Sequence, residues 1–121
     1  MTRQRQSLGI WGEDLAVKYL RRRFYRILET NYRCRAGEID IIARRGSIIA
    51  FVEVKTRRGH RCGSASEAVT VRKQGQIIRA ARWYLAANAG DLQPRFDVIA
   101  IDVDGDSHHL EHIVDAFTID D

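Results

Sequence analysis

Residues 38–55 read EIDIIARRGSIIAFVEVK. Two runs rich in isoleucine and valine flank the turn-like Arg44-Arg45-Gly46-Ser47, so the stretch predicts a β-hairpin with strands over 38–44 and 48–55. The second run is apolar on both faces, which suits a central, covered strand. It nevertheless closes on Glu53-Val54-Lys55. Side chains alternate along a strand, so Phe51, Glu53 and Lys55 share one face while Val52 and Val54 share the other. In the first run Glu38, Asp40 and Ile42 share a face. A turn at Arg45-Gly46 pairs Arg44 with Ser47 and Asp40 with Phe51. Asp40 then lies diagonal to Glu53, with Cα atoms about 7–8 Å apart. Two carboxylates so placed can share one cation. A slip of one residue would send them to opposite faces.

Outward from the hairpin, residues 25–33 predict a strand and residues 7–23 a helix. Leu8, Trp11, Leu15 and Tyr19 recur at helical spacing, Ser7 is a candidate N-cap, and Arg21, Arg22 and Arg23 suit the C-terminal end of the helix dipole. Downstream, a second helix is expected over roughly 65–88. Ser64 and Glu67 stand at capping-box spacing, and Val71, Ile78 and Leu85 form an apolar line extended by Ile77, Ala81 and Tyr84. Strands follow at 95–102 and, as a strand or a helical end, at 109–117. The order α-β-β-β-α-β-β in a single domain over 1–121 defines an α/β fold with a mixed central sheet flanked by helices.

Glu13 falls in line with Ile10, Ala16, Val17 and Leu20, at the edge of the apolar stripe of the first helix. A carboxylate there needs a partner, because an unpaired buried charge is costly. Asp40, Glu53 and Glu13 together offer oxygen ligands for Mg²⁺, with Mn²⁺ as an alternative. Such an ion takes one or two protein carboxylates plus substrate phosphate. The carbonyl of Val54 is a further candidate ligand. Lys55, beside the ion, could hold the attacking water or the scissile phosphate. The simpler account has Glu53 and Lys55 as a same-face ion pair and Glu13 bound to a basic side chain. Spacing leaves both readings open.

The ordered set Glu13, Asp40 and Glu53-Val54-Lys55 resembles the PD-(D/E)XK nuclease superfamily. More closely, WGEDLAVKYL, NYRCRAGEIDIIAR, FVEVKTR and AVTVRKQGQI are similar to the YraN-like family of small bacterial proteins, predicted endonucleases akin to archaeal Holliday junction resolvases. The resemblance covers roughly residues 9–102. It implies a restriction-endonuclease-like core, Glu13, Asp40 and Glu53 as metal ligands, and Lys55 as the catalytic lysine. Ile39 stands where the superfamily pattern has proline, a position that supplies no ligand. The implied activity is Mg²⁺-dependent hydrolysis of phosphodiester bonds in nucleic acid, with DNA the expected polymer and branched or junction DNA among the candidate substrates. A non-catalytic nucleic-acid-binding module on the same fold is the alternative.

Charge agrees with a polyanionic partner. Residues 1–61 carry fifteen Lys/Arg against six Asp/Glu, whereas residues 62–121 carry five against ten. A basic half attracts phosphate, although it also describes a solvated surface. Arg57, Arg58, His60 and Arg61, expected in a loop after the Glu-x-Lys strand, are candidates for flanking phosphates, as are Lys73 and Gln74 at the start of the second helix. Cutting both strands of a duplex would suit a homodimer. Glu38 is expected to pair with Arg35, and Asp97 to bond a backbone group or an arginine. Trp11 and Trp83 are expected in the core, and His108, His109 and His112 on the surface. Cys34, His60 and Cys62 lack the paired spacing of a zinc site. No apolar run approaches a membrane span and the N-terminus lacks a signal-peptide core, so a cytoplasmic location is expected.

Overall fold

A computed structural model describes residues 3–59, 69–88 and 90–118. Helix α1 (Arg3–Arg22) leads into β1 (Arg26–Cys34), β2 (Gly37–Arg45) and β3 (Ile48–Arg58). Helix α2 (Val71–Ala87) and the strands β4 (Gln93–Asp104) and β5 (Ser107–Phe117) complete the chain. The strands form one sheet in the order β1-β2-β3-β4-β5. Only the β3–β4 pair is parallel, joined through α2, so the sheet is mixed and the expected element order holds. No helix among the described residues is long and apolar enough to cross a membrane.

Each sheet face buries one helix. Ala16 and Leu20 of α1 pack on Ile41, Ala43, Ala50, Val52, Ile99 and Ile101. Ile77, Ala80, Ala81 and Tyr84 of α2, at i, i+3, i+4 and i+7, pack on Ile42, Ile49, Phe51, Phe96 and Val98. Three phenylalanines stack across neighbouring strands, with ring centroids 5.7 Å apart for Phe51–Phe96 and 5.3 Å for Phe96–Phe117. β3 therefore occupies the covered centre that its unbroken apolar run anticipated.

Several local expectations are corrected. Helix α1 begins at Arg3, so Ser7 lies inside it rather than capping it. Helix α2 begins at Val71, and its N-cap is Thr70, whose hydroxyl accepts from the backbone N–H of Lys73 at 3.2 Å. The anticipated capping box of Ser64 and Glu67 lies outside the described residues. Val71 is exposed, and Trp11 and Trp83 are partly exposed, at 38% and 52%. The hairpin turns at Gly46-Ser47, with Gly46 at φ 61, and closes on the pair Arg45–Ile48. Arg57 and Arg58 are strand residues of β3, not loop residues.

His112 is not a surface residue. Its Nε2 bonds Asp97 at 2.8 Å and its Nδ1 lies 3.3 Å from the Tyr19 hydroxyl. Asp97 is fully buried. It also accepts two bonds from the Arg95 guanidinium, at 2.9 and 2.7 Å, and one from the Asp115 backbone N–H at 3.1 Å. The expectation that Asp97 bonds an arginine or backbone group holds, with the histidine as a third partner. Burial pushes its carboxyl up, but the bonds from His112, Arg95 and Asp115 outweigh that and hold it below the ordinary aspartate value.

Candidate active site

The last ladder pair between β2 and β3 is Ile41–Val52. Continued one step, that register sets Asp40 opposite Glu53. The anticipated turn was one residue early on both strands, so the two carboxylates face each other directly rather than diagonally. Because each strand moves by one, the faces are preserved and the pair stays together.

Beyond Val52 the ladder stops, and the side chain of Asp40 takes over from the backbone. Its Oδ2 accepts the N–H of Val54 at 2.8 Å. Ile39 packs with the α2-side cluster, although Ile41, two residues on, packs with the α1-side cluster. β2 thus changes face between Ile39 and Ile41, at Asp40. The N–H and C=O of a strand residue point the same way. The Val54 carbonyl therefore faces the gap that Asp40 occupies, where the sequence placed a candidate ligand.

Asp40 and Glu53 lie within hydrogen-bonding reach of one another. Burial and the Asp40 charge push the Glu53 carboxyl up to about 8. Burial also raises Asp40, against the bonds from Val54 and Glu53 and the charge of Lys73. Two half-buried carboxylates cannot both ionise cheaply at this separation, so without a cation they retain a proton.

Glu13 approaches from α1. Its position follows from Gly12, which is buried against β3. A Cβ there would stand 2.0 Å from the Thr56 hydroxyl oxygen, so only glycine lets the helix sit this close. Burial first, and the Asp40 charge second, raise the Glu13 carboxyl, while the polar side chain of Asn31 opposes them. Asn31 has φ 53, a left-handed conformation that asparagine tolerates. No three His, Cys, Asp or Glu side chains among the described residues gather tightly enough to enclose a metal. The close set is Asp40 with Glu53, and Glu13 stands further out. Two carboxylates with a free face suit Mg²⁺, which keeps waters and takes the rest of its shell from substrate phosphate.

Lys55 is exposed beside Glu53 and makes no ion pair among the described residues, so the same-face pair with Glu53 does not form. Lys73, in the first turn of α2, acts on the carboxylates more strongly. It lowers both Asp40 and Glu53, and on Glu53 its charge outweighs that of Lys55. Sequence reasoning set Lys73 among phosphate contacts and missed that it faces the acids. Its only sequence signal was its place in a helix-opening VRKQGQ. Gln74 donates its side-chain amide to the Val69 carbonyl at 3.1 Å, the bonded rim position.

Of the arginines expected to hold phosphates, Arg57 has a protein partner. It forks onto Asp102 at 2.8 and 3.1 Å, its register partner across β3–β4. Arg58 is exposed, while His60, Arg61 and Cys62 lie outside the described residues. Glu38 pairs with Arg33 at 3.2 Å, not Arg35, because Arg33 is its cross-strand partner.

A mixed five-stranded sheet between two helices, with carboxylates where the central hairpin parts, is a restriction-endonuclease-like α/β arrangement. The chain belongs to the family described as Uncharacterised protein family UPF0102, whose model matches residues 12–101 and so spans Glu13, Asp40, Glu53, Lys55 and Lys73. It is 55% identical over 121 residues to a UPF0102 protein of Syntrophotalea carbinolica, covering 99% of this chain and 98% of that one. It is 51% identical over 120 residues to one of Geobacter metallireducens, covering 98% of each. A UPF0102 protein of Clostridium perfringens is 43% identical over 122 residues, with 98% of this chain and 100% of that one covered.

Proposed function

We propose that the chain is a divalent-metal-dependent nuclease that hydrolyses phosphodiester bonds in nucleic acid, with DNA as the polymer. The supporting observation is the meeting of Asp40 and Glu53 at the point where β2 and β3 separate, with Asp40 oriented by the Val54 N–H. Asp40 and Glu53 would hold Mg²⁺ or Mn²⁺, with the Val54 carbonyl as a further donor. When bound, such an ion neutralises charge on the scissile phosphate and acidifies a water. Lys55, exposed and on the Glu53 face, orients the incoming nucleophile or holds a phosphate oxygen. Lys73 supplies a second positive charge over the same carboxylates. Glu13 acts from outside the close pair.

The alternative is a nucleic-acid-binding module on the same fold that does not cut. One experiment separates the two. Labelled single-stranded, duplex, flap and four-way DNA are incubated with the protein in Mg²⁺, Mn²⁺ or EDTA. The nuclease reading expects products with either ion, none in EDTA, and none from Asp40→Ala or Lys55→Ala. Binding of all substrates with no product in either ion would leave the binding module.

A further inference from the structure

Helix α1 ends in a Schellman arrangement. The N–H of Tyr25 bonds the Leu20 carbonyl and the N–H of Phe24 bonds the Arg21 carbonyl, both at 3.0 Å. The left-handed residue that this motif requires is normally glycine. Here it is Phe24, at φ 70, and its side chain is 87% exposed. A bulky residue in this conformation is strained, and an aromatic ring left in water buries nothing in return. Phe24 therefore detracts from stability twice. Strain of this kind, without a packing gain, points toward use of the side chain.

The surroundings indicate the use. Phe24 borders an open pocket of about 490 Å³ lined by Tyr19, Arg22, Arg23 and Arg45. The Arg23 guanidinium lies 4.8 Å from the centre of the Tyr19 ring, and that of Arg45 lies 4.4 Å from the Tyr25 ring. Arg45 also donates to the Arg23 carbonyl at 3.1 Å. Two cations are thus held in place, yet none of Arg22, Arg23 and Arg45 pairs with a carboxylate among the described residues. Oriented, unneutralised guanidinium groups beside an exposed aromatic face match a nucleotide: phosphate oxygens for the arginines and a base plane for the ring. In duplex DNA the base faces are covered by stacking, so the phenylalanine selects an unpaired strand.

We propose that the Arg22–Arg23–Phe24–Arg45 pocket is a subsite for single-stranded nucleic acid, with one base stacked on Phe24. This rests on the nucleic-acid reading above but not on cleavage. Arg22 lies nine residues beyond Glu13 on the same helix, about 14 Å along its axis. At about 3.4 Å per nucleotide, that rise spans roughly four stacked nucleotides between the pocket and the level of Glu13 on the helix.

The test measures fluorescence anisotropy of a labelled oligothymidylate and of a duplex of equal length in EDTA, so that binding is read apart from cutting. Phe24→Gly relieves the backbone strain and is expected to raise the melting temperature while weakening oligothymidylate binding about fivefold or more. Duplex binding should change far less, and Phe24→Tyr should retain the parent affinity. Arg22→Ala should weaken both ligands and reduce the salt dependence. Unchanged oligothymidylate affinity in Phe24→Gly, or equal losses for single strand and duplex, would overturn the subsite without touching the cleavage reading. Displacement of the oligonucleotide by polyglutamate of equal charge, in the parent but not in Phe24→Gly, would reassign the pocket to an acidic peptide. Failure of every substrate to be cut, with these binding differences intact, would remove the nuclease reading and leave the subsite standing.

Discussion

The carboxylate of Asp40 accepts the backbone N–H of Val54 across 2.8 Å, where the β2–β3 ladder has just ended. One oxygen of Asp40 thus does the work of a missing backbone acceptor and fixes the side chain beside Glu53. The same bond ties the candidate chemistry to the integrity of the hairpin, and it separates what two substitutions should do.

Asp40→Asn keeps a side-chain carbonyl that can accept from Val54, whereas Asp40→Ala leaves that N–H without a partner. The asparagine variant should melt close to the parent. The alanine variant should lose about 1–2 kcal/mol. Both should lose Mg²⁺-dependent cleavage by at least about 100-fold. Thermal unfolding beside a cleavage time course checks this, and an asparagine variant that cuts at the parent rate would remove Asp40 from the site.

Glu53 makes the metal-free protein sensitive to pH. Its carboxyl is raised from 4.5 to about 8 by burial and by Asp40. Between those values the folded state holds a proton that the unfolded chain has released, so stability falls as pH rises through this window. Melting in EDTA should be higher at pH 5.5 than at pH 8. Glu53→Gln should flatten that slope and exceed the parent at pH 8 by about 1–3 kcal/mol.

Metal uptake should release protons. With Glu53 protonated at pH 7, binding of Mn²⁺ should expel about one proton per ion. Calorimetry in two buffers of different ionisation enthalpy reads this directly. Removing the Lys73 charge, which holds Glu53 down, should raise the carboxyl further. Lys73→Ala should therefore release a larger fraction of a proton at pH 7, and, because the lysine repels a doubly charged ion more than a proton, should bind Mn²⁺ at least as tightly as the parent. Identical enthalpies in both buffers would contradict the protonated pair.

Gly12→Ala should cost about 1–3 kcal/mol, since a Cβ 2.0 Å from the Thr56 hydroxyl oxygen must move α1 away from β3. Glu13 moves with the helix. Denaturant unfolding checks the loss, and Thr56→Ala combined with Gly12→Ala should recover part of it.

Asp97 holds Arg95, His112 and the Asp115 N–H together inside the sheet. Asp97→Ala strands a buried cation and should destabilise by about 3–5 kcal/mol. The folded carboxyl titrates below its ordinary 3.8, so its contribution is present above that value and is lost as pH falls through the folded one. The parent should lose stability steeply in acid, and the variant, folded at low temperature, should show a flatter acid limb.

The succession of helices and strands, the central place of β3 and the common face of Asp40 and Glu53 were all legible in the linear chain. They depend on periods of two and 3.6 residues, which any window of ten or so residues displays. The face of the acid pair survived an error in turn position because moving both strands by one residue preserves parity. Glu13 was legible for the same reason, as a carboxylate on the margin of an apolar stripe. The influence of Asn31 on it was not, since that joins a helix to a strand.

The tertiary structure alone decided which groups meet. Arg57 is bound to Asp102, 45 residues away, because β3 and β4 happen to be neighbours in that register. His112 enters the interior to meet Asp97 across β4–β5. The Lys73 charge reaches the carboxylates because α2 starts at Val71, near the point where the central hairpin parts. Phe24 stands in solvent because a helix stop and a strand start converge on it. Spacing along a chain encodes which side of its own element a residue occupies. The partner across the gap depends on the neighbouring element and its register, and that is set only when the whole sheet assembles.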